Sequence, residues 1–500
     1  MEQKTETMRP VRRVVIAGGG TAGWMSAALL SKSLGRLVDI TLVESDEIGT
    51  VGVGEATIPS MVTFHKLLGL DEAEFMAATN ATFKLGISFE NWRDVGQDYI
   101  HSFGNTGTDH WTAGFQHFWH KGRERDLAGE YGDYCLELQA ARQNRFAHLP
   151  GGGMNYAYHL DAGKYARFLR RYAEGFGARR VEGRIARVAT DAGTGHVASL
   201  RLEDGTEIEG DLFIDCTGFR ALLIGQTMKE EYEDWSHWLF CDSALAVQTA
   251  LREEDEMVPY TRAIAHGAGW QWRIPLQNRV GNGLVYASGH LDDDEARRVL
   301  LSNLQGEPLT DPRVIRFKPG QRRKTWSGNV VAVGLSSGFL EPIESTSIHL
   351  ISRSLIRLLQ LFPTYGIRQS DVDEFNGQSA REIAHIRDFI ILHYHVTNRR
   401  DTPFWRACAG MDIPASLRHR IALFRETGRV FRLPDELFVE NSWIQVMLGQ
   451  GVHPEQHHQS ADLMGDAELA GFLGQIRTAI DQAVRRMPSH RDYVRRHCAT

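Results

Sequence analysis

One stretch constrains this chain more than any other. Val14-Val15-Ile16-Ala17 is a short apolar strand that passes at once into Gly18-Gly19-Gly20-Thr21-Ala22-Gly23, and then into Trp24-Met25-Ser26-Ala27-Ala28-Leu29-Leu30, which has helical composition. The order is strand, tight turn, helix. Gly18 lets the chain turn sharply, Gly20 admits a diphosphate against bare backbone, and Gly23 lets the helix pack closely on the strand. The free N–H groups at the helix start, from Thr21 and Ala22, then face an anion. A second apolar run, Ile40-Thr41-Leu42-Val43, ends on Glu44, where a carboxylate would accept hydrogen bonds from ribose hydroxyls. Strand, helix and acidic residue in register indicate dinucleotide binding.

Two later stretches repeat the theme. Gly49 to Pro59 holds Gly49, Gly52 and Gly54, and its Val53-Gly54-Glu55-Ala56 segment reads as a loop of backbone donors lying against a cofactor or closing over it. Gly328 to Leu335 is an apolar strand ending on Gly334-Leu335, followed by Ser336 to Ser347 and a helix over 348–361. Between them, Leu212 to Gly218 is another buried strand that stops on glycine, where a parallel sheet would meet the cofactor. Cys216 on that strand reads as packing, since no histidine is in local reach.

Composition narrows the partners. The chain has 500 residues, enough for two or three structural units, and a net charge of −7. No global positive field draws nucleic acid or an anionic membrane. Five cysteines, odd in number and without CxxC spacing, indicate neither a disulfide framework nor a zinc site and fit a reducing cytoplasm. The polar first residues give no signal peptide and no apolar run is long enough to span a bilayer, so a soluble protein acting on a small molecule is expected.

Other residues have two readings each. Asn80 to Phe89 alternates as a strand, which sets Lys84 opposite Phe83 and Leu85; by pattern alone it is a snorkelling edge residue rather than a catalyst. The segment from Tyr99 to His120 is dense in histidine and aromatic rings, including His101 and Phe103, and suits either a pocket wall for a flat ligand or half-buried core. His117 and His120 lack the companions of a metal site. Trp270 and Trp272 lie on one face of the strand that runs on to Ile274 and Pro275, with core packing the default. A helix is expected over 60–78, and after Pro363 helix follows helix: 373–393, 403–426 and 435–448. On such a helix His393 and His395 diverge, so the pair reads as structural.

Three glycine-ended strands, an N-terminal GxGxxG and a late glycine strand feeding a helix describe an α/β chain with an FAD-binding Rossmann-like fold of the aromatic-hydroxylase type. A substrate-side sheet and a C-terminal, mostly helical module complete it, with 1–360 as the FAD and substrate-sheet unit and 361–500 as the helical module. Taken together, GGGTAGWMSA, GVGEATIP, WQWRIP and GFLEPIESTSIHLI resemble the flavin-dependent tryptophan halogenases over nearly the whole chain.

The resemblance implies FADH2 delivered by a separate flavin reductase, oxygen, and chloride or bromide, giving hypohalous acid that travels inside the protein to an aromatic substrate. It implies Lys84 and Glu344 as catalytic residues and a halide on the backbone of Thr346 and Ser347. Trp270 and Trp272 would wall the substrate from the flavin, with His101, Phe103, Ile274, Pro275 and Phe438 in the substrate pocket. It leaves a homodimer open. Two departures matter. Ser347 stands where the family's tryptophan enzymes usually have glycine, and Leu433, Leu437-Phe438 and Ser442 stand where those enzymes hold a free amino acid. A pocket without that carboxylate disfavours a buried ammonium and favours indole-like rings, attacked at the electron-rich C3. The competing readings are an FAD-dependent aromatic monooxygenase and a non-catalytic FAD-binding regulator.

Overall fold

A computed structural model describes residues 10–47, 54–149, 151, 153–253 and 256–498. Val53, with Gly49 to Gly52, lies outside the described residues. The first apolar run becomes the strand Arg13–Ala17, fully buried after its first residue, near the middle of a six-stranded sheet. Its neighbours Leu212–Asp215 and Asp39–Glu44 pair with it in parallel, as right-handed crossovers through helices require. Val330–Ala332 continues the sheet in parallel beyond Leu212–Asp215. All three glycine-ended strands therefore stop at the same edge of one sheet.

A second sheet has seven strands, ordered Arg313–Arg316, Ser243–Ala250, Arg279–Tyr286, Gly269–Pro275, Thr261–His266, Gly86–Glu90 and Asp98–Ser102. All its pairings are antiparallel except Thr261–His266 with Gly86–Glu90. Gly269–Pro275 is central and buried along its whole length, so Gln271 and Arg273, which alternate with the tryptophans, are buried as well. A small three-stranded sheet joins the two: Ala157–Asp161 lies between Gly54–Ala56 and Thr82–Lys84. The GEAT loop and the Phe-Lys pair are thus pinned to one strand.

Helices cover both sheets. Thr21–Leu34, Ala162–Gly175 and Ser347–Gln360 share a core with the parallel sheet, and the 27-residue helix Gln369–His395 packs its later turns against the antiparallel one. Several expected helices are interrupted. The helix expected over 60–78 is two, Ser60–Leu68 and Glu72–Thr79, because Gly69 closes the first in the left-handed region (φ 71°) and Asp71 caps the second. That over 403–426 divides at Pro414 into Pro403–Gly410 and Ala415–Thr427, and the helix expected from 435 begins only at Glu440. Among the described residues no helix is long and apolar enough to cross a membrane.

Candidate active site

At the cofactor end, Gly18 has φ 107°, and a Cβ there would stand 2.3 Å from the Cys216 carbonyl oxygen. Only glycine fits that crossing of strands. A Cβ on Gly20, by contrast, would meet nothing within 4 Å, so backbone faces open space where a diphosphate would lie. The helix Thr21–Leu34 starts there with no side-chain cap, leaving its first N–H groups for an anion. Glu44 ends its strand beside Gly19, anchored by Arg180 Nε at 2.6 Å. These residues suit a dinucleotide such as FAD.

From this end a cavity of about 370 Å3 runs inward. Gly54, Glu55, Ala56, Gly334 and Leu335 line it near the glycine loops, and Trp270, Trp272 and Ile274 line its wall, all on one face of their strand. Burial, with Asp161 nearby, pushes the Glu55 carboxyl up to about 7. The cavity reaches Ser345, Thr346 and Ser347. Thr346 precedes the helix Ser347–Gln360 without a side-chain cap, so this second helix start also presents unpaired N–H groups to the cavity.

Lys84 stands at Ser345. It is 0% exposed, and its ammonium nitrogen donates to the Ser345 hydroxyl at 2.8 Å and to the Thr57 carbonyl at 3.0 Å, with the Phe103 ring 5.1 Å away. The snorkelling reading is therefore corrected: Thr82–Lys84 is indeed an edge strand of its small sheet, but the ammonium is held inside by Ser345 and Thr57 and does not reach out to solvent. Burial lowers Lys84 to about 7, against the pull of Glu344, so charged and neutral forms coexist near neutrality. Ser345 itself sits in the left-handed region at φ 58°, strain held by the turn Pro342–Glu344 before it.

The same turn carries two buried carboxyls. Glu344 meets His101 Nδ1 at 2.9 and 3.0 Å and His393 Nε2 at 2.8 Å; burial would raise it, but the two imidazoles outweigh that and hold it at about 2. His393 is in turn fixed by the Tyr99 hydroxyl at 2.9 Å. His101 lies beside Phe389 and Phe438, whose rings stack at 3.8 Å, and its Nε2 is buried without a partner. Glu341 accepts from Trp270 Nε1 at 2.9 Å and from the Tyr394 hydroxyl at 2.6 Å, and burial raises it to about 7.

Other named residues fall around this arrangement. His101 pairs with Glu344, and the Pro275 carbonyl accepts from the Thr82 hydroxyl. Cys216 does line the cavity, with its thiol pushed far up by burial and 3.7 Å from the Ser26 hydroxyl, so packing remains its role. His393, read together with His395 as structural, holds one carboxyl and its neighbour Tyr394 the other; no local pattern marks them, since their partners lie some fifty residues earlier. Ser345 was equally hidden. Among the described residues no group of three or more His, Cys, Asp or Glu is arranged to hold a metal ion.

Comparison with known proteins gives a consistent result. The sequence model of the tryptophan halogenase family matches residues 13–466. The chain is 39% identical to tryptophan 7-halogenase RebH of Lentzea aerocolonigenes, over 83% of this chain and 82% of that protein. Among solved structures it resembles Xcc4156, a flavin-dependent halogenase from Xanthomonas campestris, at 67% identity and TM-score 0.97, covering 98% and 99% of the two chains. It also resembles BrvH, a flavin-dependent halogenase from Brevundimonas sp. BAL3, at 46% identity and TM-score 0.93, covering 97% and 99%.

Proposed function

This chain belongs to the tryptophan halogenase family and is a flavin-dependent halogenase of an aromatic substrate, and from that premise we propose how its residues divide the work. The observation that carries the proposal is the cavity joining the glycine loops to Ser345, whose hydroxyl lies 2.8 Å from the Lys84 amine. When bound, reduced FAD would supply two electrons to oxygen, which would take the other two from halide to yield an electrophilic halogen and water. Gly18, Gly20, Thr21, Ala22 and Gly23 would hold its diphosphate, Glu44 its ribose, and Gly54 to Ala56 with Gly334 and Leu335 its ring system. The N–H groups at Thr346 and Ser347 hold chloride or bromide. No nicotinamide fingerprint accompanies the flavin one, which supports a separate reductase as the source of reduced flavin.

Lys84 receives the halogen. In its charged form it donates a hydrogen bond to hypohalous acid; in its neutral form its nitrogen can take the halogen from the acid's oxygen, its own proton leaving with that oxygen as water, and a pKa near 7 makes both available. Glu344, ionised at working pH, faces the positive charge that develops on the ring and receives its proton directly or through His101. Trp270, Trp272 and Ile274 separate the two ends of the cavity. The division into a flavin and substrate-sheet unit over 1–360 and a helical module over 361–500 belongs to the same proposal, the module supplying His393, Tyr394 and Phe438.

For substrate we infer a neutral indole-like ring. Each carboxylate where an ammonium would be held already has a partner: Asp435 with Arg381, Glu436 with Arg420, Trp443 Nε1 and the Leu433 N–H, and Glu440 with the Arg432 N–H. Desolvating a zwitterion there goes uncompensated. The test supplies FAD, a reductase, NADH, oxygen and bromide. Wild-type protein should brominate indole with higher kcat/KM than tryptophan, and Lys84→Ala should bind FAD but brominate nothing. Hydroxylated indole from wild type, or near-normal bromination by Lys84→Ala, would overturn the assignment.

A further inference from the structure

The turn that carries Glu344 also carries a carboxyl that the mechanism above does not use. Glu341 is 0% exposed, and its Oε2 accepts two hydrogen bonds, from the indole N–H of Trp270 at 2.9 Å and the hydroxyl of Tyr394 at 2.6 Å. Its Oε1 is buried without a partner. Leu340 and Pro342 on either side line the cavity, as does Trp270. The carboxyl therefore ties the wall of the cavity to the segment that holds Ser345 and the helix start at Ser347. Tyr394 stands next to His393 on the helix Gln369–His395, so adjacent residues of one helix hold the two carboxyls of one turn.

A buried carboxyl with an orphan oxygen is costly unless something requires it. A nonpolar side chain would fill the same space among Trp92, Trp270, Tyr394 and Trp405, which already pack edge to face, tilted or stacked on one another. What a nonpolar residue could not do is fix the rotation of the Trp270 indole. An indole ring has one polar atom, and a carboxylate acceptor on that atom selects one of its flat orientations.

We propose that Glu341 is a positioning residue of halogenation, which holds Trp270 as the partition between the flavin end and the Lys84 end of the cavity. The inference rests on the reading of Trp270 as that partition. With the indole held, oxidising equivalents generated at the glycine-loop end reach Lys84. With the indole free to turn, the cavity opens across its wall, and reduced flavin and oxygen end as oxidised flavin and hydrogen peroxide.

The experiment compares Glu341→Leu, Glu341→Gln, Trp270→Phe and Trp270→Ala in the reductase-coupled indole assay, reading halogenated product and hydrogen peroxide per FADH2 consumed. Glu341→Leu and Trp270→Phe should each cut product per FADH2 about tenfold, the equivalent of one lost hydrogen bond, with peroxide rising in step. Glu341→Gln, which keeps an acceptor, should retain most of the coupling. In flavin-free protein with isotope-labelled tryptophan, the indole N–H resonance absent from Trp270→Phe should move upfield in Glu341→Leu and less so in Glu341→Gln. Normal coupling in folded Glu341→Leu overturns the proposal. Should that variant fail to fold, normal coupling in Trp270→Phe overturns it equally. Normal coupling in Trp270→Ala instead overturns the partition reading, and the proposal with it.

Discussion

Glu341 and Glu344 are three residues apart in one turn, equally buried, and held by neighbouring residues of the same helix, yet one carboxyl is raised to about 7 and the other lowered to about 2. Burial pushes both upward. The difference lies in the partners: Glu341 has an indole N–H and a phenol, which cannot become cations, whereas Glu344 has two imidazoles, which can. Depth alone therefore does not set the charge of a buried acid; the capacity of its donors to carry charge does. The consequence is a division of labour. A neutral or weakly charged carboxyl suits orienting a ring, and a firmly ionised one suits facing a cation.

The largest effect expected from breaking this contrast is on Glu344. Glu344→Gln removes the charge but keeps the shape, and should lower kcat/KM for indole by ~100- to 1000-fold, the usual loss when one preorganised electrostatic group is removed. Flavin oxidation should continue. Replacing His393 with Asn instead leaves the carboxylate one imidazole short; its pKa should rise, the acid limb of the kcat profile should move upward, and activity at neutral pH should fall about tenfold. An unchanged acid limb would mean that His101 alone sets the charge.

Stability should separate the two acids by sign. Glu344 is held below its unfolded value, so its contribution is fully present above the ordinary glutamate range and is lost as pH falls through about 2. Glu341 is held above it, so the folded form loses stability as pH rises from the ordinary glutamate range through about 7. The groups around Glu341, namely Trp270, Tyr394, Cys241 and Cys408, do not reverse this, because burial keeps the phenol and both thiols neutral through that range. Thermal unfolding at pH 8 should thus show Glu344→Gln below wild type and Glu341→Gln at or above it. The same order of signs at pH 5 should hold only for Glu344.

How much of this was legible in the sequence follows from chain distance. The nucleotide end is contiguous, Gly18 to Gly23 with Glu44 on the next strand, so periodicity and spacing located it, and the sheet order agrees. The tryptophans on one face of Gly269–Pro275 were readable for the same reason. Lys84 was not, because what buries it comes from 27 and 261 residues away. His393 was set aside by a correct rule, that i and i+2 diverge on a helix; divergence separates His395 but says nothing about what His393 meets. Trp111, in the aromatic-rich segment, is 89% exposed, which composition could not distinguish from the buried Phe115 and Phe118 nearby.

Lys84 extends the contrast to a base, and its pKa can be read from stability without any activity measurement. Its folded pKa of about 7 lies below the ordinary lysine value, so between the two the folded protein binds fewer protons than the unfolded chain. Folding is then opposed most at low pH, and the opposition fades as pH rises toward the unfolded lysine value. Lys84→Met keeps the length and removes the ionisable group, at the cost of leaving the Ser345 hydroxyl and Thr57 carbonyl one donor short. That cost is independent of pH, whereas the relief is not. The melting temperature of Lys84→Met relative to wild type should therefore be most favourable near pH 6 and should decline steadily toward pH 10. A difference that stays flat across this range would mean that Lys84 keeps an ordinary pKa in the fold, that its charge is matched by Glu344 after all, and that the neutral amine is not part of the chemistry.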